Sequence, residues 1–166
     1  MELSIRRIEK TDYSDLSEIY SFTSVTENTS QLPFLSSSNV EVLFESPNDY
    51  TLVAESEGKV IGHVTIFLSN KPRERHSASI AIAVHPEAQG KKVGEILLTN
   101  AINQADNWLN LLRLELEVYP DNEAALSLYK KVGFSLEGEK RCCTFKAGKY
   151  VNLLIMSRIN FPNKNT

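Results

Sequence analysis

The residues from Val84 to Gly94, Val-His-Pro-Glu-Ala-Gln-Gly-Lys-Lys-Val-Gly, concentrate the groups best suited to hold an anion. The segment reads as a strand end, a tight turn and a helix start. The first N–H groups of a helix have no partner inside it, and the helix dipole favours negative charge beside them. Gly90 and Gly94 permit close approach of a phosphate, and Lys91 and Lys92 add positive charge. The two better-known phosphate loops, G-x-x-x-x-G-K-[ST] and G-x-G-x-x-G, are not present. A plain glycine turn ahead of a surface helix is the competing reading of this segment. Two carboxylates, Glu115 and Glu117, share one face of a later strand, and Tyr129 follows on a helix. His63, His76 and His85 lie on or beside strands, where a lone histidine is more often a satisfied polar residue than a catalyst. Ser79 is small enough to line a pocket or to face a helix.

The elements that position these groups follow from periodicity. Leu3, Ile5 and Ile8 mark a first strand, Glu2 to Ile8, and Thr11 or Asp12 caps a helix carrying Leu16, Ile19 and Tyr20. A polar stretch from Thr23 to Ser38 is interrupted by the apolar island Leu32-Pro33-Phe34-Leu35. Ser38-Asn39-Val40-Glu41 has the form of a capping box, which predicts a short helix over Asn39 to Glu45. Tyr50 to Glu55 and Val60 to Leu68 alternate around Glu57-Gly58-Lys59, a hairpin. Arg75 to Val84 is a strand with one small face, Ser77, Ser79, Ala81 and Ala83. A helix opening at the glycine turn carries Val93, Ile96, Leu97, Ala101, Ala105 and Trp108 on one stripe. Arg113 to Tyr119 is a strand, Asp121 or Asn122 caps a helix through Val132, and Gly133 ends it. Phe134 to Arg141 and Tyr150 to Arg158 are two closing strands. The order implies an α/β protein with a mixed, mostly antiparallel central sheet and helices on both faces. One domain is expected over residues 1–159, with a flexible tail at 160–166.

Composition narrows the function classes. The 166 residues carry 18 basic and 21 acidic side chains, a net charge of −3, with 42% hydrophobic and 23% charged residues. Basic residues occur in scattered short groups, so no nucleic-acid surface is expected. Cys142 and Cys143 are adjacent, which excludes a disulfide framework, and with three dispersed histidines they form no zinc set, so no metal is expected. The start, MELSIRRIEK, has no apolar signal core, and no apolar run is long enough to span a membrane. The default is a cytoplasmic protein.

Two motifs in order carry a resemblance. The Q-x-x-x-x-G turn at Gln89–Gly94 follows a V-H-P strand end, and N-E-A-A-L-S-L-Y-K-K-V-G-F begins at Asn122. Together they resemble the GNAT superfamily of N-acetyltransferases, well matched from Tyr50 to Arg158 and only in pattern before that. The run F-K-A-G-K-Y-V-N-L-L-I-M-S-R and the island Q-L-P-F look most like bacterial L-amino-acid N-acetyltransferases, while ribosomal-protein and spermidine N-acetyltransferases share much of that ending. The resemblance implies acetyl-CoA as co-substrate and a small-molecule amine as acceptor, and it is compatible with a homodimer. It also implies that the backbone of Ile82 and Val84 binds the pantetheine arm, and that Gln89, Gly90, Lys91, Val93 and Gly94 hold the pyrophosphate. By the same resemblance Asn122 meets the pantetheine, Tyr129 stands beside the sulfur and Lys131 meets the 3′-phosphate. Lys92 departs from the pattern: it stands where the family has its middle glycine, and a positive φ there would cost about 1 kcal/mol.

Acyl transfer from a thioester to an amine needs a neutral amine, a polarised carbonyl and a protonated leaving group. Tyr129 suits the proton donor. Glu117, twelve residues earlier, is the best base candidate, with Glu115 and a water chain in competition. A backbone oxyanion donor is expected near Ile82 to Val84. Gln31, Leu32, Pro33 and Phe34, with the loop Cys142 to Lys149, are expected to form the acceptor pocket, and Arg73, Arg75 or Arg141 to meet an acceptor carboxylate. The expected reaction is direct transfer to the α-amino group of a free amino acid. The alternatives are N-terminal protein or polyamine acetylation and, in another class, a non-catalytic acyl-CoA-binding regulatory module.

Overall fold

Alternating residues on either side of Glu57-Gly58 form β2 (Asp49–Ser56) and β3 (Lys59–Leu68) in the computed structural model, which describes residues 1–161. Glu57 and Gly58 both have positive φ, 53° and 77°, the twist a two-residue hairpin turn requires. β1 (Ser4–Arg7) pairs with β2, and β4 (Ser77–Val84) with β3, both antiparallel. Three more strands follow: β5 (Arg113–Val118), β6 (Ser135–Lys146) and β7 (Lys149–Ile159). The sheet order is β1-β2-β3-β4-β5-β7-β6. Among the described residues five strand pairings are antiparallel and one, β4 with β5, is parallel. This is the mixed, mostly antiparallel sheet expected from the element order.

Successive residues of β2 serve opposite faces. Val53 packs with Leu16 and Ile19 of α1 (Tyr13–Ser21) and Val40 of α3 (Ser37–Val42), with the short α2 (Thr23–Thr26) between those helices. Leu52 and Ala54 join the other face, with Leu97, Leu98 and Ala101 of α4 (Val93–Asn107) and Tyr129 of α5 (Glu123–Lys131). Helices therefore cover both faces. Leu97 has no solvent exposure, and burying a leucine contributes about 1.5–3 kcal/mol. Gly62 lets α4 come this close: a Cβ there would stand 3.1 Å from both Leu97 Cδ1 and the Ala83 carbonyl oxygen.

Local competition moved several boundaries. The capping box of α3 is Ser36 with Asn39, not Ser38 with Glu41. Ser36 Oγ accepts from the Asn39 N–H at 3.2 Å and Asn39 Oδ1 accepts from the Ser36 N–H at 3.1 Å, so the helix starts earlier and ends at Val42. Trp108 leaves the α4 stripe, because the helix stops at Asn107 and the indole lies 76% exposed. β6 does not end at Arg141. It continues to Lys146 through a register shift between Lys140 and Thr144, with Cys142 at φ 50°. The segment Cys142–Lys149, expected as a loop, is thus mainly strand, and the turn is Ala147-Gly148. Of the expected tail, residues 162–166 lie outside the described residues. Among the described residues no helix is long and apolar enough to cross a membrane.

Two features of the sheet create the site. β7 inserts between β5 and β6, so the second strand–helix–strand unit does not place its strands side by side. β4 and β5 pair only at Ser77–Arg113, Ala78–Leu114 and Ser79–Glu115. Beyond these positions they part, and among the described residues the β4 edge from Ile80 to Val84 has no strand partner on that side. Backbone N–H and C=O groups left without a ladder need another partner.

Candidate active site

The parted strands open two cavities, one of about 460 Å³ and one of about 780 Å³. Both are lined by Ile82 of β4, Tyr129 of α5, and Asn28 and Thr29 from the connection after α2. They therefore meet at the place where β4 leaves β5. Both volumes fall in the range of small-molecule sites.

The smaller cavity is built by the turn between β4 and α4. Ile82, Val84, Gln89, Gly90, Lys92, Val93 and Gly94 line it, and so does Asn122. Gln89 Nε2 donates to the Val84 carbonyl at 3.2 Å, tying the turn to the strand end. Gly90 has φ 74° and Lys92 has φ 65°, so the position of the substituted glycine does take the left-handed conformation. Lys92 is the residue before α4 and gives that helix no side-chain cap, which leaves its first N–H groups available. A Cβ on Gly94 would lie 3.2 Å from Leu128 Cδ2 and 3.7 Å from Ile82 Cδ1. Asn122 caps α5, its Oδ1 accepting from the Ala125 N–H at 3.2 Å. Lys91 is exposed and lines neither cavity. Lys131 also lines neither, and its Nζ is 2.7 Å from Glu95 Oε2 on α4. An uncapped helix start, a glycine at positive φ and a nearby lysine suit a pyrophosphate, and the free β4 edge suits an amide-bearing arm.

Tyr129 is 8% exposed, and burial pushes its hydroxyl up to about 12. It is a protonated donor at neutral pH. Glu117 lines the larger cavity from β5 and forms an ion pair with Lys140 of β6, which raises the lysine. Glu115 lines it too, but is held at 2.9 Å by Arg113, whose guanidinium also binds Glu137 at 2.9 Å. Of the acceptor candidates, Gln31 lines the larger cavity, whereas Leu32, Pro33 and Phe34 are exposed and line neither. Cys143 and Thr144 line it from β6. Arg73, Arg75 and Arg141 are exposed and line neither cavity.

Ser79 lines the larger cavity, and the small face it shares with Ala81 leaves the room. His63 projects from β3 into the same wall, fully buried. Its Nε2 is 2.9 Å from Tyr20 Oη, its Nδ1 is 3.3 Å from Thr65 Oγ1, and burial pushes it down to about 3. His85 instead packs against Phe22 and faces Glu18 at 3.3 Å, while His76 is exposed. Sequence reading missed Asn28, Thr29 and Tyr119. The Tyr119 hydroxyl donates to the Thr29 carbonyl at 3.2 Å, and Lys146 Nζ sits 4.3 Å above its ring. The polar stretch around Asn28 carries no local signal for this, whereas a tyrosine ending a strand before Pro120 does.

The chain matches the acetyltransferase (GNAT) family over residues 5–134. It is 36% identical over 159 residues to the L-amino acid N-acetyltransferase AaaT of Escherichia coli K12, spanning 95% of this chain and 98% of that one. A ribosomal-protein-alanine N-acetyltransferase from Brucella melitensis superposes with a TM-score of 0.84 at 27% identity, covering 95% and 99% of the two chains. A spermidine N-acetyltransferase from Vibrio cholerae, in complex with CoA and spermine, superposes with a TM-score of 0.83 at 26% identity, covering 95% of each.

Proposed function

The chain belongs to the GNAT acetyltransferase family, and on that premise we propose that it acetylates the α-amino group of a free amino acid by direct transfer within a ternary complex. Family membership makes it an acetyl-CoA-dependent enzyme, which sets aside the non-catalytic binding module. The observation that carries the direct mechanism is the meeting of two cavities at Tyr129. The smaller takes the CoA arm and the larger the amine, so both substrates reach one hydroxyl. The amino-acid assignment is supported by the similarity to the E. coli L-amino acid N-acetyltransferase over nearly the whole of both chains.

Acetyl-CoA supplies an activated thioester. The start of α4 and the turn through Gly90 hold its pyrophosphate, and Asn122 and the free β4 edge align its arm. An N–H of that edge between Ile82 and Val84 faces the developing oxyanion. The acceptor nitrogen must be neutral to attack, and Glu117, or a water it orients, takes the proton it loses. A C–N bond forms, the C–S bond breaks, and the Tyr129 hydroxyl delivers a proton to the departing sulfur. Because burial disfavours a tyrosinate, the proton that Glu117 takes from the amine must in turn restore the Tyr129 hydroxyl, so that each turnover moves one proton from nitrogen to sulfur.

A polyamine is the second reading, favoured by one observation. The larger cavity's wall holds three carboxylates, Glu115, Glu117 and Glu137, against two cations, Arg113 and Lys140. Thiol release measured against free amino acids, spermidine and N-terminal peptides tests the proposal. Hydrophobic amino acids should lead in kcat/KM with intersecting initial-velocity lines. Spermidine or a peptide leading by about tenfold, a gap of about 1.4 kcal/mol in transition-state binding, would overturn the acceptor.

A further inference from the structure

We propose that Lys140 anchors the carboxylate of the acceptor amino acid by exchanging its partner Glu117 for the substrate. The inference rests on the amino-acid reading above and names the group that would give it specificity. Among the described residues the cations lining the larger cavity are Arg113 and Lys140. Arg113 is occupied. Its Nε and Nη2 donate to Glu115 at 3.3 and 2.9 Å, and its Nη1 and Nη2 donate to Glu137 at 2.9 Å each. Its side chain is only 23% exposed.

Lys140 differs in each respect. An ammonium has three N–H donors, and among the described residues Glu117 is the one carboxylate paired with it. The two side chains are 49% and 45% exposed, so the pair is wet and costs little to open. Its backbone setting aims it at the cavity. Lys140 lies opposite Leu153 in register, and immediately afterwards the strand shifts register, with Cys142 in the left-handed region. Such irregularities bend a strand and re-aim its side chains.

An α-amino acid carries an amino and a carboxylate group on one carbon. The Glu117–Lys140 pair presents the complementary charges side by side. Entry of the substrate replaces one ion pair with two, the amine at Glu117 and the carboxylate at Lys140. The same exchange brings the amine to its proton acceptor and fixes the α-carbon, which a polyamine or a carboxylate-free amine cannot do.

The test compares kcat/KM for L-methionine and L-methioninamide in the wild type, Lys140→Met and Lys140→Arg. The methionine-to-methioninamide ratio should fall about five- to tenfold in Lys140→Met, through KM for methionine, and stay within about twofold of wild type in Lys140→Arg. An unchanged ratio in Lys140→Met overturns the anchor and leaves the amino-acid reading standing. An equal fall for both substrates also overturns it, because the lysine would then act only through Glu117. A wild type that acetylates spermidine or peptides but neither methionine compound overturns the acceptor reading and the anchor together.

Discussion

Tyr20 Oη and His63 Nε2 stand 2.9 Å apart in the wall of the larger cavity, joining α1 to β3 through a histidine that burial keeps neutral. Thr65 continues the chain from Nδ1, and Thr51 bonds Thr65 at 2.9 Å. Phe44 closes one side, its ring centroid 4.8 Å from the imidazole. An unfolded histidine titrates near about 6.5, whereas His63 in the fold is pushed down to about 3. Between those values the unfolded chain binds the extra proton. The contribution is therefore complete above about pH 6.5 and is lost progressively as pH falls. Denaturant unfolding should show stability falling by about 1 kcal/mol between pH 7.5 and 5.5, a dependence that His63→Gln removes. A wild-type curve flat over that range would mean the imidazole accepts its proton inside the fold.

Tyr129→Phe keeps the ring packed beside Phe134 and deletes the hydroxyl. Turnover should drop by roughly 10²-fold or more, with acetyl-CoA affinity within about twofold, because a lost proton donor acts on the transition state. Steady-state kinetics alongside a direct cofactor titration separate the two. Unchanged turnover across neutral pH would remove the hydroxyl from the reaction.

Lys92 at φ 65° carries a conformation that glycine adopts without penalty. Lys92→Gly relieves about 1 kcal/mol of backbone strain, and a more flexible unfolded chain offsets about 0.4–1 kcal/mol of that. Stability should change little and acetyl-CoA binding should persist. Loss of binding in calorimetry would identify the ammonium group itself as a phosphate ligand.

Gly94→Val should weaken acetyl-CoA binding by about tenfold or more, since a branched side chain must displace Leu128 and Ile82 and so narrow the channel. Gly94→Ala meets Leu128 with its Cβ alone and should show the smaller loss. Equal affinity for all three proteins would mean that the arm does not pass between α4 and β4.

Features set by neighbours in sequence were legible. The hairpin turn at Glu57-Gly58, the start of α4 after the glycine turn and a cap at Asp121 or Asn122, which the fold places on Asn122, all follow from local rules. The left-handed conformation of Lys92 was raised by the family resemblance, whose pattern has a glycine at that place. Features set by pairing between distant strands were not. Nothing in the period of β7 states that it will lie between β5 and β6, yet that insertion brings Lys140 beside the cavity. Asn28 and Thr29 sit in a polar stretch whose position depends on Tyr119, ninety residues away. The apolar island gave no sign of its exposure, 77% at Leu32 and 101% at Phe34, because exposure is a tertiary outcome.

The insertion of β7 also orders assembly in time. During synthesis β5 emerges before α5 and β6, but its sheet neighbour on that side is the last strand of the seven to leave the ribosome. β6 likewise has β7 as its partner in the sheet. Until β7 arrives, Leu114 and Leu116 lack that flanking strand, and the nascent chain carries an open edge of the kind that recruits chaperones or aggregates. Such non-local closure slows folding. The smaller cavity beside α4 can take shape early, while the larger one, walled in part by β6 and β7, waits for the final hairpin.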